Sequence, residues 1–154
     1  MDVPILVAII SVGGTLSGAV VGGSIAFVSN AYLTRRRENL EFRMACRLVA
    51  ADFHEAHHTV KFALENKRWW RPDEELTTEA WKQYRNVLAA HLSYDALADV
   101  GFAVRATNKA NVIATAPRPS DRTEEIFLDE TRHALTLLMQ DIEKGRVVLM
   151  PYFL

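Results

Sequence analysis

The chain has 154 residues, of which 49% are hydrophobic and 24% are charged, and its formal net charge is −1. Asp2 is the only charged side chain before Arg35, so the remainder holds 18 acidic and 18 basic residues. This neutral balance gives no argument for a nucleic-acid partner, which an excess of cationic side chains would favour. The single cysteine, Cys46, excludes an intrachain disulfide and fits a reducing compartment.

Residues 3–34 form a stretch of 32 residues without Asp, Glu, Lys, Arg or His. A helix needs about 20 apolar residues to cross a bilayer, so this stretch is long enough. It is too long for a signal peptide and no basic segment precedes it. We therefore predict an uncleaved transmembrane anchor over residues 1–34. Three arginines at 35–37 follow at once, which predicts an outside N-terminus and a cytoplasmic chain from residue 35 onward.

Small residues recur at every fourth position within this stretch, at Gly14, Gly18, Gly22 and Ala26. Residues four apart share a helix face, and a row of small side chains lets another helix approach closely in lipid. The spacing predicts self-association through this row, or pairing with a partner's span.

In overall plan, the first 50 or so residues resemble short bacterial membrane proteins with a glycine-rich span followed by an arginine cluster. The resemblance rests on Gly13-Gly14, Gly22-Gly23, Asn30 and the arginines at 35–37. It implies no activity.

The helix is expected to continue from residue 35 to about 67, because this segment contains neither proline nor glycine. Two apolar rows follow it on nearly opposite faces, with the spacing typical of helices packed lengthwise. A helix apolar on two sides is either central in its bundle or shared between protomers. The first row is Phe42, Cys46, Val49, Phe53, Ala56, Val60 and Ala63; the second is Leu40, Met44, Leu48 and Ala51.

Trp69 and Trp70 come next, flanked by Arg68 and Arg71, in a segment that is expected to end the helix. Pro72 disfavours a helical conformation at Arg71. Trp and Arg dominate binding hot spots, so these four residues are candidates for docking a partner protein. The alternative is that one Trp closes the end of the bundle while the other is half exposed.

Three further helices are expected, over about residues 78–91, from a cap at Ser93 to about 114, and from Asp121 or Thr123 to Gly145. The fold class is therefore all-α: a single transmembrane helix continuing into a cytoplasmic antiparallel four-helix bundle over residues 35–146. An apolar tail, residues 147–154, would then return towards the bilayer. It would lie against the membrane or a neighbouring protomer, or cover the core of its own bundle.

His54, Glu55 and His58 match the HExxH pattern, and a resemblance to zinc metallopeptidases would make the histidines ligands and the glutamate the general base. Lys61 occupies the position of the metzincin glycine, and the three residues flank or oppose the apolar row. We judge the match accidental, and expect no catalytic residue and no cofactor; metal binding there is the open alternative.

Glu55 and His58, together with Glu130 and His133, also repeat the Glu-x-x-His spacing of di-iron bundles, which resembles ferritin-like proteins. The other helices supply no matching pair of inward glutamates, so this resemblance too is judged accidental.

These patterns favour a non-enzymatic, oligomerising assembly or adaptor protein that presents a helical domain to a cytoplasmic protein partner. The alternative is a small membrane-active protein, such as a pore-former, a phage-related factor or a toxin. A metal-dependent enzyme using His54, Glu55 and His58 is the third possibility. The expected partners are the lipid bilayer, a second copy of the chain and a cytoplasmic protein.

Overall fold

The computed structural model describes residues 3–70, 75–116 and 124–153, with only the backbone described for residues 3–23, 25, 124 and 125. The described chain is all-α, as predicted, and contains no strand. It forms four helices and ends in a short 3₁₀ helix, Met150–Tyr152. The four are α1 (Val3–Asn66), α2 (Glu79–His91), α3 (Tyr94–Thr115) and α4 (Glu124–Leu149).

Among the residues that the structure describes, there is no helical stretch both long and apolar enough to cross a membrane. For Gly14, Gly18 and Gly22, in the predicted span, only the helical backbone is described. Ala26 is described and exposed. The span and its association row stay predictions.

The chain divides into two compact units, Met1–Leu40 and Glu41–Leu154. In the first unit the described side chains belong to α1 and are all exposed, including Phe27, which is 76% exposed, and Tyr32. The second unit holds the remainder of α1 and the other three helices, and contains the hydrophobic core.

The first apolar row of α1 lies in this core, which confirms the prediction. Phe53 is its largest fully buried member, while Phe42 at its start is half-buried against the core. In α4 the fully buried side chains repeat every seventh residue, as in helix bundles. These buried residues of α4 are Leu128, Leu135, Ile142 and Leu149.

Neighbouring helices of the second unit run antiparallel, as side-chain contacts demonstrate. Asp99, near the start of α3, accepts a hydrogen bond of 2.8 Å from Lys144, near the end of α4. Likewise Phe42, early in this part of α1, stacks on His91 at the end of α2, at 4.8 Å between ring centroids. The antiparallel four-helix arrangement thus holds for this unit.

The helix α4 does not end at Gly145, contrary to the sequence-based prediction, but continues to Leu149. Gly145 is buried where α4 meets α3 and α1: a Cβ atom there would overlap that of Ala103 and lie 3.3 Å from Phe53. The residue therefore permits close packing and is no stop signal. The helix gives way to the 3₁₀ turn that contains Pro151.

The apolar tail consequently begins inside α4, since residues 147–149 are helical. Leu149 is fully buried, and Val148, Tyr152 and Phe153 pack against the core. In the structure this segment covers the core of its own bundle, which was one of the two alternatives predicted for it. Leu154 lies outside the described residues.

Side chains of α3 and of α1 itself hold the connection from α1 to α2 and the start of α2. Asn111 of α3 accepts a hydrogen bond from Leu76 N–H (3.0 Å) and donates one to Leu76 C=O (2.8 Å). Asp52 of α1 accepts the backbone N–H of Ala80 in the first turn of α2, at 3.1 Å. Thr78, at the N-cap, makes no capping bond with its side chain. Asp52 of the neighbouring helix thus supplies the hydrogen-bond acceptor that an N-cap side chain normally provides.

Candidate functional site

In the second unit, α1 has a line of exposed side chains opposite its core row. We call it the outer stripe; its steps alternate between four and three residues, the spacing of a coiled-coil seam. Met44 is 48% exposed, Leu48 40% and Phe62 54%. The stripe comprises Met44, Leu48, Ala51, Glu55, His58 and Phe62.

The outer stripe resolves one open question from the sequence. The second apolar row of α1, which includes Met44, Leu48 and Ala51, is exposed, so α1 is not a central helix covered on both sides by its own bundle. Leu40, in the first unit, is also exposed. Sharing of the row between protomers, the other alternative, stays a prediction.

His54, Glu55 and His58 are all exposed on α1. The two imidazole rings are 6.4 Å apart between centroids and are tilted by 55°. Within the described residues, no group of three or more His, Cys, Asp or Glu side chains lies close enough to hold a metal ion. An exposed site of this kind does not provide the shielded, three-ligand pocket of a catalytic zinc.

His57, for which the sequence predicted no role, is half-buried and lies near enough to Glu143 and Arg146 of α4 for their charges to influence its pKa. Burial lowers the pKa of His57, while Glu143 acts in the opposite direction and Arg146 and Lys61 reinforce the lowering. Glu143 itself accepts a hydrogen bond from Arg146 Nε at 2.8 Å, and this pairing lowers the pKa of its carboxyl group. Only the packing of α1 on α4 brings these residues together.

Glu130 and His133 of α4 are exposed, as are Glu55 and His58 of α1. Carboxylates that share a pair of metal ions in a bundle must project into its interior. The described positions of these four side chains do not meet that requirement.

Trp69 is buried, with 6% of its surface exposed, and Trp70 is half-buried. Their rings meet edge to face at 5.5 Å, and Trp69 also lies 5.7 Å from Phe127 of α4. The structure thus has one Trp closing the core, and docking of a partner by Trp70 and the exposed Arg68 stays a prediction. Arg71, the fourth predicted docking residue, lies outside the described residues.

Cys46 is fully buried in the first apolar row, and burial raises the pKa of its thiol to about 11. A thiol in this environment stays protonated and unreactive at neutral pH. It is a small core residue.

No protein-family model matches the chain, and neither does any curated protein or solved structure. The chain's own residues and contacts are therefore the basis for assigning a function.

One end of the second unit gathers aromatic side chains that sequence analysis left unconnected. Tyr152 meets Phe42 edge to face at 5.3 Å, and Phe42 stacks on His91. Tyr94, which follows α2 closely in the chain, is 85% exposed. Phe42 lies next to Glu41, the first residue of this unit, so the end of α4 returns to the place where the unit begins.

Proposed function

We propose that the protein is a single-pass membrane protein of the inner cell membrane, with residues 35–154 in the cytoplasm, and that it acts as a non-enzymatic assembly or adaptor protein. Two or more copies associate through α1. A cytoplasmic partner protein binds the helical unit, and Trp70 with Arg68 is the candidate docking point.

The membrane part of this proposal is supported by the sequence of residues 3–34, which is uncharged over 32 positions. The arginines at 35–37 support the orientation, since basic residues flank the cytoplasmic end of a span. The small residues Gly14, Gly18, Gly22 and Ala26 support helix association within the bilayer.

The outer stripe is the observation that carries the association part. Exposed apolar side chains at seam spacing are costly to leave in water, at about 25 cal/mol per Å² of apolar area. Met44, Leu48 and Phe62 lie along one helix, so a partner helix would cover all three at once. Another copy of the same helix has a matching stripe.

The experiment compares Leu48→Glu with Val112→Glu in the full chain. Both substitutions place a charge at an exposed apolar position, but Val112 lies on α3, away from the outer stripe. We expect self-association in detergent, measured by analytical ultracentrifugation, to weaken at least about tenfold for Leu48→Glu and to stay unchanged for Val112→Glu. Replacing Gly14, Gly18 and Gly22 with Leu should also weaken self-association, through the predicted span and not through the outer stripe.

Three results would contradict the proposal. Extraction of the wild-type chain from membranes by alkaline carbonate would refute the membrane anchor. A monomeric wild type, or equal behaviour of the two Glu variants, would refute association through the outer stripe. Conductance of vesicles containing the protein would instead favour the pore-forming class.

A further inference from the structure

A pocket lies on the surface of α1 where the uncharged stretch meets the arginine cluster, and we call it the arginine pocket. Its volume is about 310 Å³. Each lining residue lies three or four positions from another, which is the spacing of neighbours on a helix surface. All of them are exposed and belong to the first unit, so one segment of α1 forms the whole pocket. The lining residues are Asn30, Leu33, Thr34, Arg36, Arg37 and Leu40.

The polar part of the arginine pocket carries hydrogen-bond donors suited to a phosphate group. Arg36 and Arg37 bring two guanidinium groups, which are permanently charged and donate through several N–H groups each. Thr34 adds a hydroxyl group and Asn30 a side-chain amide, both of which can donate. Guanidinium groups bind phosphate oxygens through pairs of parallel hydrogen bonds, so arginine is well suited to phosphate recognition.

The two arginines of the pocket are available to a ligand. Glu38 and Glu41 are close to them in the sequence and are exposed. Among the described residues, however, neither carboxylate forms an ion pair or a hydrogen bond with Arg36 or Arg37. The positive charge of the pocket is therefore not neutralised by the described part of the chain.

The apolar part of the pocket indicates that the phosphate belongs to a lipid. Leu33 is 54% exposed and Leu40 is 59% exposed, and both lie beside the polar groups. The uncharged stretch 3–34 ends at the pocket, so the proposed membrane anchor would place the pocket at the depth of the lipid headgroups. Tyr32, which is 64% exposed, is typical of that layer. This step rests on the proposed function.

We propose that the arginine pocket binds the headgroup of an anionic phospholipid. Arg36 and Arg37 hold the phosphate, Thr34 donates a further hydrogen bond to it, and Leu33 contacts the start of an acyl chain. A zwitterionic phospholipid carries an ammonium group beside its phosphate, and the two guanidinium groups repel that ammonium group. A phospholipid with a net negative charge and no ammonium group is therefore preferred.

The test measures the lipid selectivity of the full chain in phosphatidylcholine vesicles by electron paramagnetic resonance. Trace amounts of spin-labelled phosphatidylglycerol or phosphatidylcholine report the fraction of each lipid that the protein immobilises. The buffer contains about 1 M NaCl, which screens diffuse attraction beyond about 3 Å. We expect the wild type to select phosphatidylglycerol at least about threefold, and Arg36→Gln and Arg37→Gln each to remove at least about half of that selectivity.

Arg35→Gln is the matched control for these variants. It removes the same charge from the same cluster, but Arg35 does not line the pocket. This variant should keep the wild-type selectivity. Soluble glycerol phosphate is the second control, because it carries the phosphate group without acyl chains. It should not displace the immobilised phosphatidylglycerol if the pocket recognises a lipid.

Equal immobilisation of the two lipids, equal losses for Arg35→Gln and Arg37→Gln, or displacement by glycerol phosphate would each overturn the inference. Equal immobilisation would still show that the chain is inserted in the bilayer, so the proposed anchor would stand and the lipid site alone would be wrong. A wild-type chain that immobilises neither lipid is not inserted. That result would contradict the proposed anchor and, with it, this inference.

Discussion

Asn111 is one of the few polar side chains that are buried among the described residues. It is 8% exposed and lies on α3, yet both of its hydrogen bonds to Leu76 join it to a segment that precedes it by 35 residues in the chain. Its side-chain amide imitates a backbone pair, accepting one N–H and donating to one C=O. A carboxylate or an apolar side chain cannot do both.

We expect Asn111→Ala to lower the free energy of unfolding by about 2–3 kcal/mol, because it leaves two buried backbone groups of Leu76 without partners. Asn111→Asp keeps the acceptor but loses the donor, so it should also destabilise the protein. Thermal or denaturant unfolding of the full chain in detergent, followed by circular dichroism, measures the effect.

Asn108→Ala is the matched control for this prediction, since Asn108 lies one turn earlier on α3 and is exposed. It should change the free energy of unfolding by no more than about 0.5 kcal/mol. Equal effects of the Asn108 and Asn111 substitutions would show that the bonds to Leu76 are not important for stability.

At the scale of elements, the end of α1 explains why a helix stops without glycine or proline. Lys67 adopts the left-handed conformation, with φ of 52°, and Arg68 N–H bonds to Ala63 C=O at 3.2 Å. This is the Schellman arrangement, in which glycine is the usual residue at the left-handed position. Because this position holds a lysine and not a glycine, the sequence alone does not indicate where α1 ends.

The two glycines of the second unit have opposite roles, and their substitution tests the packing of α3 on α4. Gly145→Ala should destabilise the protein by about 1–3 kcal/mol, because the added methyl group overlaps Ala103 and crowds Phe53. Gly101→Ala, in α3, should stabilise it by about 0.5–1 kcal/mol through helix propensity, since nothing lies within 4 Å of the new Cβ. Unfolding curves of both variants check the prediction.

The two substitutions are expected to change the free energy of unfolding in opposite directions, and this difference is the test. If Gly145→Ala were neutral or stabilising, like Gly101→Ala, then α3 and α4 would not need to approach so closely, and Gly145 would be an ordinary helix position.

At the scale of the whole molecule, the contact of α1 with α4 makes stability sensitive to acid. The folded state lowers the pKa of His57, chiefly by burial, so the folded protein binds this proton less readily than the unfolded chain. The stabilising contribution is complete above the ordinary histidine pKa and is lost as the pH falls through the lower folded value. The lowered pKa of Glu143 acts in the same direction, in a more acidic range.

We expect the melting temperature to fall between about pH 8 and about pH 5.5, and His57→Asn to reduce that fall. Burial raises the pKa of Asp52, which acts in the opposite direction. The measurement is thermal unfolding of the full chain in the presence of a chelator. His133→Asn, at an exposed position of α4, is the control and should keep the wild-type pH dependence; if His57→Asn kept it too, His57 would not be its source.

The periodicity of apolar residues determined that α1 and α4 are amphipathic helices and which side chains share a face, because a helix repeats every 3.6 residues wherever it lies. It placed Phe53 and Val60 in the core correctly. It could not tell which of two apolar faces would be covered. In α3, for example, Phe102 is 54% exposed, whereas its neighbour Ala103 is fully buried.

Only the tertiary structure decided the features that depend on contact between distant segments. Gly145 lies inside α4, at a point where the approach of Ala103 leaves no room for a Cβ atom. Trp69 is buried beside Phe127. His57 is half-buried near Glu143 of α4, whereas His54 and His58 are exposed. Local sequence fixes propensity and spacing, but burial is a property of pairs of surfaces. The uncovered outer stripe is likewise visible only once the bundle's own helices have covered the other face of α1.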